Sequence, residues 1–286
     1  MELYYITQKS NVVYMDKGED ALFRSFNRIA AIFFISFIVI VVGIFAGVSS
    51  RMAGNITNKK STKQEIAALE SKISNHFILR PTFETTQGQL EAGTAFAICM
   101  DGNNNKYILT ALHLFGPCAG LEKQIKSEEL PEFVKQANFN DAFDSSCIAT
   151  SNKAINIPGA ECRDKVYDKD VAAFMVNYSN NLYAAKLSDT KLKIGQEVWL
   201  AASVLGGEPA NKRLHRAIVK ISKNSILAFK YDNPKINLQA TSGAPILNIK
   251  GEVVGINIGG MMIKKDLIGV ANPAMAVKKL INNVLK

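Results

Sequence analysis

The four cysteines of this 286-residue chain, Cys99, Cys118, Cys147 and Cys162, include no CxxC pair. The spacing that zinc sites use is therefore missing, and no metal is implied. No organic cofactor is implied either. Basic residues exceed acidic ones, for a formal net charge of +9, yet the lysines are spread along the chain and accompany no nucleic-acid motif. A solvated basic surface follows, with attraction to anionic lipid or an acidic partner as the alternative; nucleic acid is not an expected partner. Histidine is scarce, with only His76, His113 and His215 available to imidazole chemistry. Between Ile29 and Ser50 charge is absent altogether.

That uncharged run, IAAIFFISFIVIVVGIFAGVSS, holds 22 residues. As a helix it would extend about 33 Å, enough to cross a hydrocarbon core of about 30 Å. A cleaved signal peptide would have a shorter apolar stretch and no polar lead of 28 residues. Residues 29–50 are thus expected to form a transmembrane helix in contact with the lipid bilayer, making a single-pass membrane protein. Lys17, Arg24 and Arg28 precede the span and Arg51, Lys59, Lys60 and Lys63 follow it, so the positive-inside rule does not decide orientation. Residues 1–28 read as a polar tail and 51–80 as a linker and stalk. Ser61 and Thr62 with Glu65 resemble a capping box, and Ile66, Leu69, Ile73 and Phe77 recur at helical spacing. That helix either packs on its own domain or joins a second copy in a homo-oligomer.

Beyond Pro81 the pattern changes. Short apolar runs such as GTAFAICM, KYILTAL, DVAAFMV, QEVWLAASV, SILAFKY and EVVGINIGG are separated by Gly, Asn, Asp and Lys, which marks strands in a barrel or sandwich. Only 273–286 has clear helical periodicity, with Val277, Leu280, Ile281, Val284 and Leu285 on one face. Between Phe115 and Asp168 the chain is polar and irregular. A short helix is expected there from Ser127 to Ala137, in an insertion on the surface or beside the site. Four cysteines allow three disulfide pairings. Cys147 and Cys162 share this insertion, and the expected bridge between them would close a short loop in an oxidising compartment.

Hydrolysis of an amide by a nucleophile needs a hydroxyl or thiol, a base, a group orienting the base, and donors for the oxyanion. His113 closes the strand YILTALH, and Asp170 opens the apolar run DVAAFMV, where a carboxylate can be shielded and still reach a ring nitrogen. Ser242 lies among small residues in QATSGAPIL, suited to a tight turn that exposes its hydroxyl. The next strand, GEVVGINIGG, offers an edge to an extended peptide. His76 and His215 are read as structural.

These segments carry a resemblance. TALH is similar to the TA-A-H segment of trypsin-like serine proteases, GTAF to the G-S/T-G/A-F strand of their bacterial members, and DVAAFMV to the stretch bearing their aspartate. TSGAPILNIKGEVVGIN and GVANPAMAVKKLINNVL resemble the nucleophile segment and closing helix of the HtrA-type branch. The resemblance covers roughly residues 88–286. It implies an all-β fold of two chymotrypsin-like six-stranded β-barrels with a C-terminal helix, occupying 81–286 behind the single transmembrane helix. It also implies a membrane-anchored serine endopeptidase acting on peptide or protein substrates, with its protease domain extracytoplasmic. Ser242 would be the nucleophile, His113 the general base and then acid, and Asp170 the orienting carboxylate. Backbone N–H groups of Ala240 and Ser242 would form the oxyanion hole, while Ile258, Gly259 and Gly260 would line the primary pocket. The family has glycine where Ala240 and Ala244 stand, and no PDZ-like domain is expected after the closing helix. The absence of an acidic residue just before Ser242, with Ile258 in the pocket, favours a small or medium apolar P1 side chain. The alternative reading is a catalytically silent relative that binds extended peptides in the same cleft.

Overall fold

The computed structural model describes residues 61–73, 76–100, 105–162 and 167–285. The polar tail and the 29–50 span lie outside them. All described residues belong to one compact unit, Ile56–Lys286, and no helix among the described residues is long and apolar enough to cross a membrane.

Helix α1 (Lys63–Ile73) opens the described chain. Its start is the expected capping box: the Glu65 N–H donates to Thr62 Oγ1 at 3.2 Å, and the Thr62 N–H donates back to a Glu65 carboxylate oxygen at 2.7 Å. Leu69 and Ile73 are buried with Phe77, Trp199, Leu247, Val277 and Ile281 in one core cluster. The apolar face that self-association would use is therefore occupied by the domain itself.

The first half contains β1 (Leu79–Thr85), β2 (Gly88–Glu91), β3 (Phe96–Cys99), β4 (Lys106–Thr110), a short helix α2 (Leu130–Phe133), β5 (Val134–Asp141), β6 (Cys147–Ser151), β7 (Ala154–Ile155), β8 (Ala172–Met175), β9 (Tyr178–Ser179) and β10 (Ala184–Ala185). These strands form two five-stranded sheets, ordered β2-β1-β5-β6-β9 and β10-β3-β4-β8-β7. A bridge between Leu79 and Ala95 stitches the sheets together. They close over Phe83, Phe115, Phe139 and Phe174, with the Phe83 and Phe174 rings stacked at 5.3 Å. The second half, β11 (Glu197–Ala201), β12 (Leu214–Lys223), β13 (Ile226–Tyr231), β14 (Pro245–Leu247), β15 (Val253–Ile263) and β16 (Asp266–Pro273), is a closed six-stranded barrel. Helix α3 (Ala274–Ile281) follows, burying Val277 and Ile281.

Two six-stranded barrels were expected. The second half is one, whereas the first is a barrel-like pair of sheets, because β3 and β1 meet only at the Leu79–Ala95 bridge. The 115–168 insertion also differs from expectation. The helix there is only Leu130–Phe133, and β5 begins at Val134. β5 reads VKQANFND, with Val134, Ala137, Phe139 and Asp141 buried and polar residues between them. Its low apolar content disguised a strand that pairs with β1 over its whole length. The expected Cys147–Cys162 disulfide is not formed, and no cysteine is bridged. Cys147 starts β6 in one sheet, while Cys162 lies in the connection from β7 to β8 of the other, so neighbouring positions in sequence end up on separate layers.

Candidate active site

The register of β4 and β8 explains how the first two site residues meet. The strands are antiparallel with Thr110 opposite Ala172. Two residues past Thr110 and two before Ala172 bring Leu112 opposite Asp170, with His113 adjacent. His113 sits in a single 3₁₀ turn, Leu112–Phe115, just beyond the end of β4. Asp170 accepts from the His113 main-chain N–H at 2.9 Å and pairs with its ring Nδ1 at 2.6 Å. Both residues are buried. Burial draws the His113 pKa down, but the Asp170 charge and hydrogen bond outweigh it, and the imidazole ends above its ordinary value. With Nδ1 turned to the carboxylate, Nε2 is the ring atom left for chemistry.

Ser242 comes from the second half, in the connection between β13 and β14. Its main-chain carbonyl accepts from the Thr94 N–H at 2.8 Å. Gly243, at φ 85°, lies so close to the end of β4 that a Cβ would fall 2.2 Å from the Thr94 carbonyl oxygen and 2.3 Å from Thr110 Oγ1. Only glycine permits this approach, which seats the Ser242 turn against the strand that leads into His113. Among the described residues the Ser242 hydroxyl makes no hydrogen bond, with His113 or any other group.

From Gln239 to Ala244 the N–H groups divide into two sets. Those of Gln239, Thr241, Gly243 and Ala244 donate to Asn237 Oδ1 and to the carbonyls of Leu238, Asn257 and Thr241 respectively. Those of Ala240 and Ser242 donate to no group among the described residues. Ala240 has φ 62°. As the third residue of the turn closed by the Thr241 N–H and the Leu238 carbonyl at 3.2 Å, it makes that turn type II. The glycine that the resemblance expects at this position would be at ease there; this chain holds an alanine in the same conformation.

Ile258, Gly259 and Gly260 lie half-buried on β15. β14 pairs with β15 only at Val253, Gly255 and Ile256, so beyond Asn257 the strand has β16 on one side and, among the described residues, no strand on the other. The register with β16 skips between Asn257 and Gly259, leaving Ile258 at a bulge. A Cβ on Gly260 would stand 2.5 Å from Leu238 Cδ1, so Leu238 occupies the wall facing it. His76 pairs instead with Asp141, and His215 Nε2 pairs with the Ala202 carbonyl. Both lie apart from the His113–Asp170 pair in the hydrogen-bond network.

Three supporting residues were not singled out from sequence. Asn257, fully buried, holds the Ser242 turn through Nδ2 to the Thr241 carbonyl at 3.0 Å, and its own carbonyl accepts the Gly243 N–H at 2.7 Å. The signal was an asparagine inside the otherwise apolar run VVGINI. Arg80 and Thr94 both reach the Ala240 carbonyl; Thr94 stands in the GTAF segment, whereas nothing local in sequence marked Arg80.

The sequence profile of the trypsin-like peptidase domain matches residues 93–256, just over half of the chain. No curated protein matches it. Among solved structures it is similar to the thermostable serine protease AL20 from an extremophilic microorganism, at 15% identity and TM-score 0.50 over 72% of this chain and 95% of that one. It is also similar to the Rv3671c protease from M. tuberculosis in its active form, at 15% identity and TM-score 0.47 over 82% of this chain and 92% of that one.

Proposed function

The chain belongs to the trypsin-like peptidase domain family, and on that premise we propose that it is a serine endopeptidase with Ser242 as nucleophile. Ser242 Oγ attacks the scissile carbonyl carbon as its proton passes to His113 Nε2, and Asp170 steadies the resulting imidazolium. The tetrahedral oxyanion accepts from the N–H groups of Ala240 and Ser242. Collapse breaks the C–N bond, His113 gives its proton to the departing amine, and the acyl group remains on Ser242. Water, deprotonated by His113, then releases the acid and restores the hydroxyl. The substrate strand adds to the open side of β15 at Ile258–Gly260 by main-chain hydrogen bonds.

The observation that carries this reading is the pattern of used and unused N–H groups. From Gln239 to Ala244 every other amide is engaged, and the two without a partner among the described residues are the two that an oxyanion needs. The chemistry requires no cofactor. We further propose that residues 29–50 anchor the chain in a bilayer, with the peptidase domain on the extracytoplasmic side; the support is the length of that uncharged run. A second reading, peptide capture without turnover, draws on the unbonded Ser242 hydroxyl and on Ala240.

The test is labelling of the full chain with a fluorophosphonate beside a Ser242→Ala control. Labelling that disappears in the control is expected. A well-folded chain that stays unlabelled would overturn the peptidase reading in favour of peptide capture.

A further inference from the structure

Arg80 on β1 has no carboxylate partner among the described residues. Its guanidinium donates only to neutral oxygens: Nη1 to the Gly93 carbonyl and Thr94 Oγ1, each at 3.0 Å, and to the Ala240 carbonyl at 2.5 Å, and Nη2 to the Ser203 carbonyl at 2.6 Å. Burial draws its pKa below the ordinary arginine value. Gly93 and Thr94 belong to the first half, Ser203 and Ala240 to the second. Arg80 thus joins the halves at the turn that carries Ala240 and Ser242. Thr94 reinforces it, donating from Oγ1 to the same Ala240 carbonyl at 2.8 Å and from N–H to the Ser242 carbonyl at 2.8 Å.

The residue so held is strained. A non-glycine residue at φ 62° persists only where its surroundings over-determine it. Asn237 fixes the turn on one side through the Gln239 N–H. Arg80 and Thr94 fix the Ala240–Thr241 peptide on the other. Lysine could supply the charge but not the planar fork that spans Ala240 and Ser203.

We propose that Arg80 is a positioning residue that clamps the Ala240 carbonyl and so keeps the Ala240 and Ser242 N–H groups aimed at one point, doing for alanine what a glycine would need no help to do. This role rests on the peptidase reading above. With the clamp removed, the turn relaxes its strain and the Ala240 N–H leaves the site. A glycine at 240 has no strain to relax.

Two readouts on the full chain test this: steady-state hydrolysis of a peptide ester, and hydrogen–deuterium exchange over 238–244. Arg80→Met should lower kcat about 10- to 100-fold, approaching the loss of one oxyanion donor, with KM within about threefold. Exchange across 238–244 should quicken. Adding Ala240→Gly to Arg80→Met should restore at least about fivefold of kcat and slow exchange again. A loss that Ala240→Gly leaves untouched in both readouts, or an effect confined to KM, would overturn the proposal. Should the unaltered chain show no Ser242-dependent turnover, the peptidase reading falls, and the exchange data alone decide whether residues 80 and 240 are coupled.

Discussion

Replacing Asp170 by asparagine keeps the side chain's size and removes one acceptor. Asp170 faces two His113 groups, the main-chain N–H at 2.9 Å and ring Nδ1 at 2.6 Å. An amide offers one oxygen and one –NH₂, so one of those groups must face a donor. The main-chain N–H cannot change its nature, but the ring can change tautomer. The least costly arrangement puts the amide oxygen on the main-chain N–H and the –NH₂ against Nδ1, which then accepts and leaves its proton on Nε2. A ring protonated at Nε2 cannot take the Ser242 proton. The expected loss is about 10⁴-fold in kcat, or about 5.5 kcal/mol of transition-state stabilisation. The assay is kcat/KM and fluorophosphonate labelling rate against pH. In the unaltered chain burial lowers the His113 pKa, while Asp170 raises it by more. Activity should therefore fall away on the acid side at a pH above the ordinary histidine value of about 6.5. In Asp170→Asn that acid limb should move down. The same pairing stabilises the fold fully below about pH 6.5 and loses that contribution as pH rises through the raised value, the range in which the base becomes competent. An Asp170→Asn chain within tenfold of the parent, with its acid limb unmoved, would refute the reasoning.

Gly243→Ala combines a left-handed φ of 85° with contacts of 2.2 Å to the Thr94 carbonyl and 2.3 Å to Thr110 Oγ1; a loss of about 2–5 kcal/mol and of Ser242 labelling is expected in denaturant unfolding and probe assays. Leu69→Ala should lower Tm by about 5–15 °C, since Leu69 is 1% exposed in the shared core and such cavities cost about 2–5 kcal/mol; an unchanged Tm would show α1 to be a separate stalk. Alkylation of unreduced, denatured protein should modify all four cysteines, and a mass consistent with one bridge would contradict the described arrangement.

Local pattern was enough for whatever depends on neighbours in the chain. The capping box at Thr62–Glu65, the helical period of 274–281, the alternating runs of the second half, and the His, Asp and Ser segments in their order are all short-range signals of backbone period or turn chemistry. What only tertiary structure decided depends on pairing between distant segments. VKQANFND looks like a polar loop until β1 buries its alternate residues. Cys147 and Cys162 are 15 positions apart in sequence, yet one starts a strand of one sheet and the other lies in a connection of the other, because β6 and β7 turn to different partners. Arg80 carries no local mark, being 160 residues from the carbonyl it holds. A clamp of that kind exists only after two halves of the chain have packed, and no window of sequence contains both of its ends.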